Sequence, residues 1–294
     1  MMNKRWMLFF KKHNPSWILK FVPDETFLQL KYWAKKGKQL DLDNPTSFTE
    51  KIQWLKLYDQ KPVYTQMVDK CSAKEYVAKV LGDKYIIPNI GVWNDVASVD
   101  FESLPNQFVI KCTHDSGGLI ICKDKSKLDV EAAKQQLQRC MERNWFYFSR
   151  EYAYKALKPR IIAEEYLEND CEEGLHDYKV WCFNGEPKYI QYVSGRIGAR
   201  TYEGFYDTDW NLQNFTYHNP PLEEDVPKPV CLKELVDVAR KVSQGIPFLR
   251  ADFYILPDNS IRFGELTFYP NGGWDTWTPK ETDEIIGNLI NLNA

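Results

Sequence analysis

Three early stretches of the chain carry apolar residues at helical spacing. Residues 24–38 and 47–58 read as helices. The second follows a Pro45-Thr46-Ser47 start signal and repeats Phe48, Ile52 and Leu55 along one stripe, with Trp54 and Leu57 beside it. A third helix is predicted over Asp69 to Leu81 and is stopped by Gly82. The pattern then shortens. Residues 85–87 and 91–93 suggest short strands or extended links, and Pro105-Asn106 marks a turn. Phe108 to Cys112 and Leu119 to Cys122 are strands on either side of the loop Thr113-His114-Asp115-Ser116-Gly117-Gly118. A helix over 129–143 precedes a strand from Arg160 to Tyr166 and a polar link from Leu167 to His176. Strands from Asp177 to Phe183 and from Pro187 to Val193 flank Asn184-Gly185, a strong hairpin signal. Residues 231–244 are helical. Elements that mix through hairpins rather than regular βαβ units predict an α+β fold.

The last strand pair poses a chemical question. RADFYILPDNSIRFGELTFYPNGGW, residues 250–274, reads as a hairpin turning at Pro257-Asp258-Asn259-Ser260. Centring the turn between Asp258 and Asn259 places Asp252 opposite Glu265 and Arg250 opposite Thr267. Like charges directly opposite on one face are destabilising. Three arrangements relieve them: a bridge from Arg250, a proton shared between the acids, or a divalent cation such as Mg²⁺ that takes carboxylate, phosphate and water oxygens.

Composition narrows the class. The chain has 294 residues, 44% hydrophobic and 27% charged, with a net charge of −3. That is a globular protein with a substantial core and no nucleic-acid signature. Residues 1–40 depart from the average, with nine lysines and arginines against two acids and eight aromatics interleaved. A helical cap with solvated lysines explains this most simply; a surface for an anionic membrane or an acidic polymer is the second reading. Seven scattered cysteines without a CxxC fit a reducing compartment, with Cys112, Cys122 and Cys182 as core residues. No apolar run approaches the ~18 residues needed to span a bilayer, and the N-terminus is a poor signal peptide. The expected location is cytoplasmic, with peripheral contact at the inner face of the membrane as an option.

Two further segments carry candidate chemistry. Glycines in the 113–118 loop would let main-chain N–H groups face an anion, with Thr113 and Ser116 adding hydroxyls, although an ordinary hairpin turn is the simpler reading. It is not a Walker loop, because no lysine follows the last glycine. Lys179 shares a strand face with Trp181 and Phe183, either covering them with its stem or reaching a phosphate.

The order of these pieces resembles the ATP-grasp superfamily. Asp69-Lys70, Val109-Ile110-Lys111, Ile162-Ala163-Glu164-Glu165-Tyr166-Leu167, Asp177-Tyr178-Lys179-Val180, Arg250-Ala251-Asp252 and Gly264-Glu265-Leu266-Thr267 follow the family pattern from about Lys61 onward. FGELTFYP more narrowly resembles the TupA-like branch, named after teichuronopeptide biosynthesis. The resemblance implies two α+β lobes clamping a nucleotide: a basic aromatic helical extension over 1–60, a first lobe with the phosphate loop over 61–168, and a second lobe with the metal hairpin over 169–294.

The same resemblance implies roles. Lys70 and Lys111 would meet ATP phosphates under a loop formed by Ser116, Gly117 and Gly118. Glu164, Glu165, Tyr166 and Leu167 would form the hinge beside adenine, and Asp177 would take ribose hydroxyls. Asp252 and Glu265 would hold Mg²⁺. Thr267, where many members have asparagine, would be the further ligand, with Asn271 as its substitute. Arg250 would stabilise the transferring group, Lys179 would face phosphate or acyl group, and Arg196 and Arg200 would meet an acidic substrate. The implied activity is an ATP-dependent carboxylate–amine ligase joining an amine or amino acid to a uronic acid of a capsule, O-antigen or cell-wall polymer. A sugar kinase, a glycosyltransferase and a non-catalytic glycan-binding module are the alternatives.

Overall fold

The computed structural model describes residues 21–115, 118–167, 175–195 and 200–292. Two antiparallel sheets organise it. The smaller contains β1 (Asn89–Trp93), β2 (Phe108–Cys112), β3 (Ile120–Cys122) and β4 (Ile161–Glu165) in the order β1-β4-β2-β3. The larger contains β5 (Asp177–Phe183), β6 (Glu186–Ser194), β7 (Tyr202–Asp207), β8 (Phe248–Ile255) and β9 (Ile261–Thr267) in the order β7-β6-β5-β8-β9. Helices are α1 (Asp24–Lys36), α2 (Phe48–Tyr58), α3 (Val63–Val68), α4 (Ser72–Leu81), α5 (Val130–Met141), α6 (Trp145–Ser149), α7 (Leu232–Val242) and α8 (Thr282–Gly287). The α+β expectation holds.

Strand periodicity sorts core from cleft. In β2, Phe108, Ile110 and Cys112 are buried under α5, whereas Val109 and Lys111 point to the other face. In the larger sheet, Val180, Cys182, Leu249 and Ala251 alternate with Lys179, Trp181, Arg250 and Asp252 along paired strands. The second set divides along its length. Trp181 joins an aromatic cluster with Phe48, Phe205, Tyr217, Phe248 and Trp277, while Asp177, Lys179, Asp252 and Glu265 form its charged continuation.

Helix α2 forms because Ser47 and Glu50 close a capping box, each side chain taking the other's backbone N–H. Its Phe48, Ile52 and Leu55 belong to the core of the larger sheet, as do Tyr64, Met67, Ala73 and Val77 of α3 and α4. Packing therefore crosses the linear divisions at 60 and 168: α2, α3 and α4 lie with the second sheet, and residues 89–165 supply the smaller one. The buried polar side chains of α2 hold the segment after β9. Gln53 Nε2 donates to the carbonyls of Gly272 and Gly273 at 3.2 Å, and Lys56 Nζ to that of Gly272 at 2.6 Å.

Three local expectations change. The helix predicted from Asp69 begins at Ser72, because the Asp69 carboxylate captures the backbone N–H groups of Cys71 and Ser72. Residues 83–85 form a single 3₁₀ turn that takes in Tyr85, and 86–87 follow the extended-link alternative rather than the strand. The β8–β9 loop is one residue shorter than the centred reading: Ile255 faces Ile261, and Asn259 takes φ 63°. A bulge between Asp252 and Phe253, opposite Gly264, restores the predicted register beyond it. Asp252 thus does face Glu265, and Arg250 does face Thr267. The cysteine reading holds for Cys112, Cys122 and Cys182, which are buried; burial pushes the Cys112 thiol up to about 12.

Candidate functional site

A cleft of about 600 Å³ lies between the sheets. One wall comes from the smaller sheet: Val109, Lys111, Leu119, Ile121 and the segment Glu164 to Leu167. The other comes from the larger: Lys179, Gln191, Arg250, Tyr254 and Glu265. It has the mixture of apolar surface and few convergent charges expected of a ligand site.

The facing carboxylates are reconciled by Arg250, the first of the three arrangements. Its Nε donates to Asp252 Oδ1 and its Nη2 to Asp252 Oδ2, both at 2.7 Å. Nη2 also reaches Glu265 Oε1 at 3.3 Å and Thr267 Oγ1 at 3.1 Å. Lys179 Nζ adds a contact to Asp252 Oδ2 at 2.6 Å. The two acids are consequently unequal. Asp252 is buried behind its cations, with three short contacts. Glu265 is a third exposed, and its ion pairs with Arg250 at 3.3 Å and with Lys70 Nζ at 3.4 Å are longer.

Lys70 connects the walls. Its backbone N–H donates to Thr113 O, and its Nζ donates to Asp115 O at 3.0 Å while facing Glu265. Ser116 and Gly117 lie outside the described residues. Gly118 packs against α5, where a Cβ would stand 2.8 Å from Cys140 Sγ, so a larger residue would have to displace that side chain.

A second ion cluster fixes Lys111. Glu164 accepts from Lys111 Nζ and Lys74 Nζ, each at 2.5 Å. Burial raises the Glu164 carboxyl, but Lys111 and then Lys74 outweigh it, so the group is held below its usual range. Burial also dominates at Lys74, whose ammonium is held below its usual value despite its partner. The two directions are compatible because the acid has two cations and this lysine shares one acid. Glu164 therefore turns its side chain to the lysines. Lys74 was not singled out in the sequence, since its helical position resembles that of any solvated lysine.

Other expected residues divide. Glu165, Tyr166, Leu167 and Lys179 line the cleft. Asp177 does not: it is 2% exposed, 3.6 Å from Lys179 Nζ, and has no surface to offer ribose hydroxyls. Arg200 is exposed at the start of β7 and the wall takes Thr201 instead. Arg196 lies outside the described residues. Asn271 lines the cleft but gives its amide to Asp275 at 2.6 Å.

A family model described as TupA-like ATPgrasp matches residues 50–291. The chain belongs to the TupA-like ATP-grasp family. The match begins within α2, eleven residues before the stretch whose motifs carried the resemblance, in keeping with the burial of α2 in the main core. No curated protein matches the chain. Similar solved structures include D-cycloserine synthetase DcsG, at 17% identity over 70% of this chain and 64% of that one, TM-score 0.41. D-Alanine–D-alanine ligase from Bacillus anthracis complexed with ATP is similar at 15% identity over 69% and 54%, TM-score 0.40. The ATP-grasp ligase PsnB, complexed with a phosphomimetic variant of its minimal precursor, Mg and ADP, is similar at 12% identity over 83% and 62%, TM-score 0.41. The matched part spans less than two thirds of each of these proteins.

A metal fits the donor set of this TupA-like ATP-grasp site in one way. Among the described residues no three His, Cys, Asp or Glu side chains cluster as a ready-made cage. Mg²⁺ is commonly held by one or two carboxylates with phosphate oxygens and water. Glu265, a third exposed at the cleft wall, suits such a shared shell, with Asp252 behind it.

Proposed function

We propose that the protein is an ATP- and Mg²⁺-dependent carboxylate–amine ligase working through an acylphosphate. The observation that carries this reading is the opposition of Lys111 and Glu265 across one cleft, in a chain of the ATP-grasp family. Lys111, fixed by Glu164, and Lys70 would meet the triphosphate. Tyr166 and Leu167 would cover the base, with the main chain of Glu164 to Leu167 reading its edge. Glu265 and Asp252 would hold Mg²⁺, with Thr267 as a further oxygen; the ion would supply neutralisation of phosphate charge. Arg250 and Lys179 would face the γ-phosphoryl group and the acid that receives it.

The chemistry answers the poor electrophilicity of a carboxylate. Its oxygen takes the γ-phosphoryl group, ADP departs, and the acylphosphate is attacked by an amine with loss of phosphate. Little covalent work falls to the protein; positioning and preset positive charge account for most of the acceleration. The cations here are already oriented by ion pairs before substrate arrives, which reduces the reorganisation required.

The acid we favour is a uronic acid of a surface polysaccharide or its precursor, supported by the TupA-like family and by the concentration of cations on the cleft wall. The reaction would take place in the cytoplasm. Among the described residues no helix is long and apolar enough to cross a membrane; peripheral contact through the basic N-terminal region is part of the proposal. ATP, Mg²⁺, a uronic acid or its UDP conjugate and a set of amines should yield ADP and an amide. A phosphoester formed without any amine would instead favour a sugar kinase, and nucleotide-sugar turnover without ATP a glycosyltransferase.

A further inference from the structure

The cleft wall includes a group that nucleotide and phosphate contacts leave unused. His218 lines it, flanked by Asn219, and is held by a network that begins in the larger sheet. Glu203 of β7 is fully buried and accepts the backbone N–H groups of Tyr217 and His218. It also accepts from the side chains of Gln191, at 2.7 Å, and Asn219, at 3.1 Å. Tyr217 OH in turn donates to Pro270 O at 3.1 Å, tying this loop to the segment after β9. The loop is therefore placed by buried polar bonds, a costly arrangement to leave incomplete.

At its tip, His218 Nδ1 stands 2.6 Å from Asp275 Oδ2, and Asn271 Nδ2 donates to the same oxygen at 2.6 Å. A carboxylate can only accept, so the proton of this bond sits on Nδ1, and in the neutral ring the lone pair is then on Nε2. His218 remains 55% exposed, so Nε2 is open to a ligand from solvent. Apart from Glu165, the other charged groups of the cleft are cations or carboxylates already engaged by cations. Lys179 and Arg250 are cations, Glu164 is engaged by two lysines, and Glu265 faces Arg250 and Lys70. Glu165 belongs to the segment beside Tyr166 and Leu167 on the other sheet.

Resting on the ligase reading, we propose that His218 is the base that prepares the amine, with Asp275 as its positioning partner. An alkylammonium of the lysine type titrates near about 10.4 and has no lone pair at neutral pH. One ammonium proton passes to His218 Nε2. The neutral nitrogen attacks the acyl carbon, forming the C–N bond. The C–O bond to phosphate breaks with its electron pair leaving on phosphate, and the second nitrogen proton goes to that phosphate. The chain thus divides the labour: Lys111, Arg250 and Lys179 serve the acid and phosphate, and the His218–Asp275 pair serves the amine.

Hydroxylamine separates these functions, because it is largely uncharged at neutral pH and needs no base to attack an acylphosphate. The wild type, H218Q and D275N are each given MgATP and a set of acids: glucuronate, galacturonate and their UDP conjugates. Each reaction is split between hydroxylamine and a mixture of glycine, L-lysine and ethanolamine. H218Q should retain hydroxamate and ADP formation within about twofold while amide formation falls about 100-fold or more. D275N should show a smaller loss in the same direction. Equal losses in both arms, or amide formation by H218Q at the wild-type rate, would overturn the assignment. If the wild type releases no ADP with any of the acids, the ligase reading fails and this inference with it. Unchanged thermal midpoints for both variants are expected, given the exposure of His218; a variant that melts early is replaced by H218N and judged by the same ratio of arms.

Discussion

Asp252 and Glu265 are direct cross-strand partners, and a single guanidinium, that of Arg250, reaches both. The repulsion expected of this pair is thereby stored behind a removable cation. Replacing Arg250 with Met leaves two acids facing each other, one of them buried with Lys179 as its remaining close partner among the described residues. The cost should be about 3–5 kcal/mol, as for other broken buried ion pairs, read as a lower midpoint in urea unfolding. A loss below about 1 kcal/mol would show that the cluster is held by something other than Arg250.

Lys111→Ala tests the phosphate wall. Glu164 keeps Lys74 as a partner, so the fold should persist. MgATP affinity should fall at least tenfold, about 1.4 kcal/mol, in a calorimetric titration. Unchanged affinity would remove Lys111 from the nucleotide site.

Glu164 makes acid stability measurable. Its carboxyl is held below its usual range by Lys111 and Lys74 against the opposing effect of burial. A depressed carboxyl contributes stability above its unfolded value, about 4.3, and loses it as pH falls through the lower folded value. E164Q should be less stable at pH 7, and its deficit relative to the wild type should shrink as pH drops below about 4.3. A deficit constant from pH 7 to pH 3 would mean that packing, rather than charge, is what Glu164 provides.

The place of α2 is testable by Phe48→Ala. Phe48 is fully buried against Trp181, Tyr217, Phe248 and Trp277. Its truncation should cost about 3–5 kcal/mol and shift the single main unfolding transition. An unaffected transition would mean that α2 is a separable extension.

The hairpin at residues 250–267 was legible in the sequence because alternation and turn residues constrain register locally. Even there, a shorter loop and the bulge opposite Gly264 compensated each other, which alternation alone does not reveal. Lys111 was legible through the resemblance of Val109-Ile110-Lys111 to the family pattern. Strand β7 was missed because Gly204 interrupts the apolar pattern; a Cβ there would stand 2.5 Å from the end of the Leu222 side chain, which packs over the glycine. His218, Asp275 and Lys74 escaped for a different reason: their partners are distant along the chain, and no local spacing encodes a bond between residues 218 and 275. The ribose role of Asp177 came from the resemblance alone, which carries no information on burial, and the neighbouring strands bury this carboxylate.

The central claim is that Glu265 and the cations around it receive a magnesium nucleotide. The direct measurement is calorimetric titration of ATP into the wild type and Glu265→Gln, each with and without Mg²⁺. Wild-type binding should strengthen markedly with Mg²⁺, and the variant, with its thermal midpoint unchanged, should lose that increment. Equal binding with and without Mg²⁺ in the wild type, or no ATP binding at all, would contradict the account.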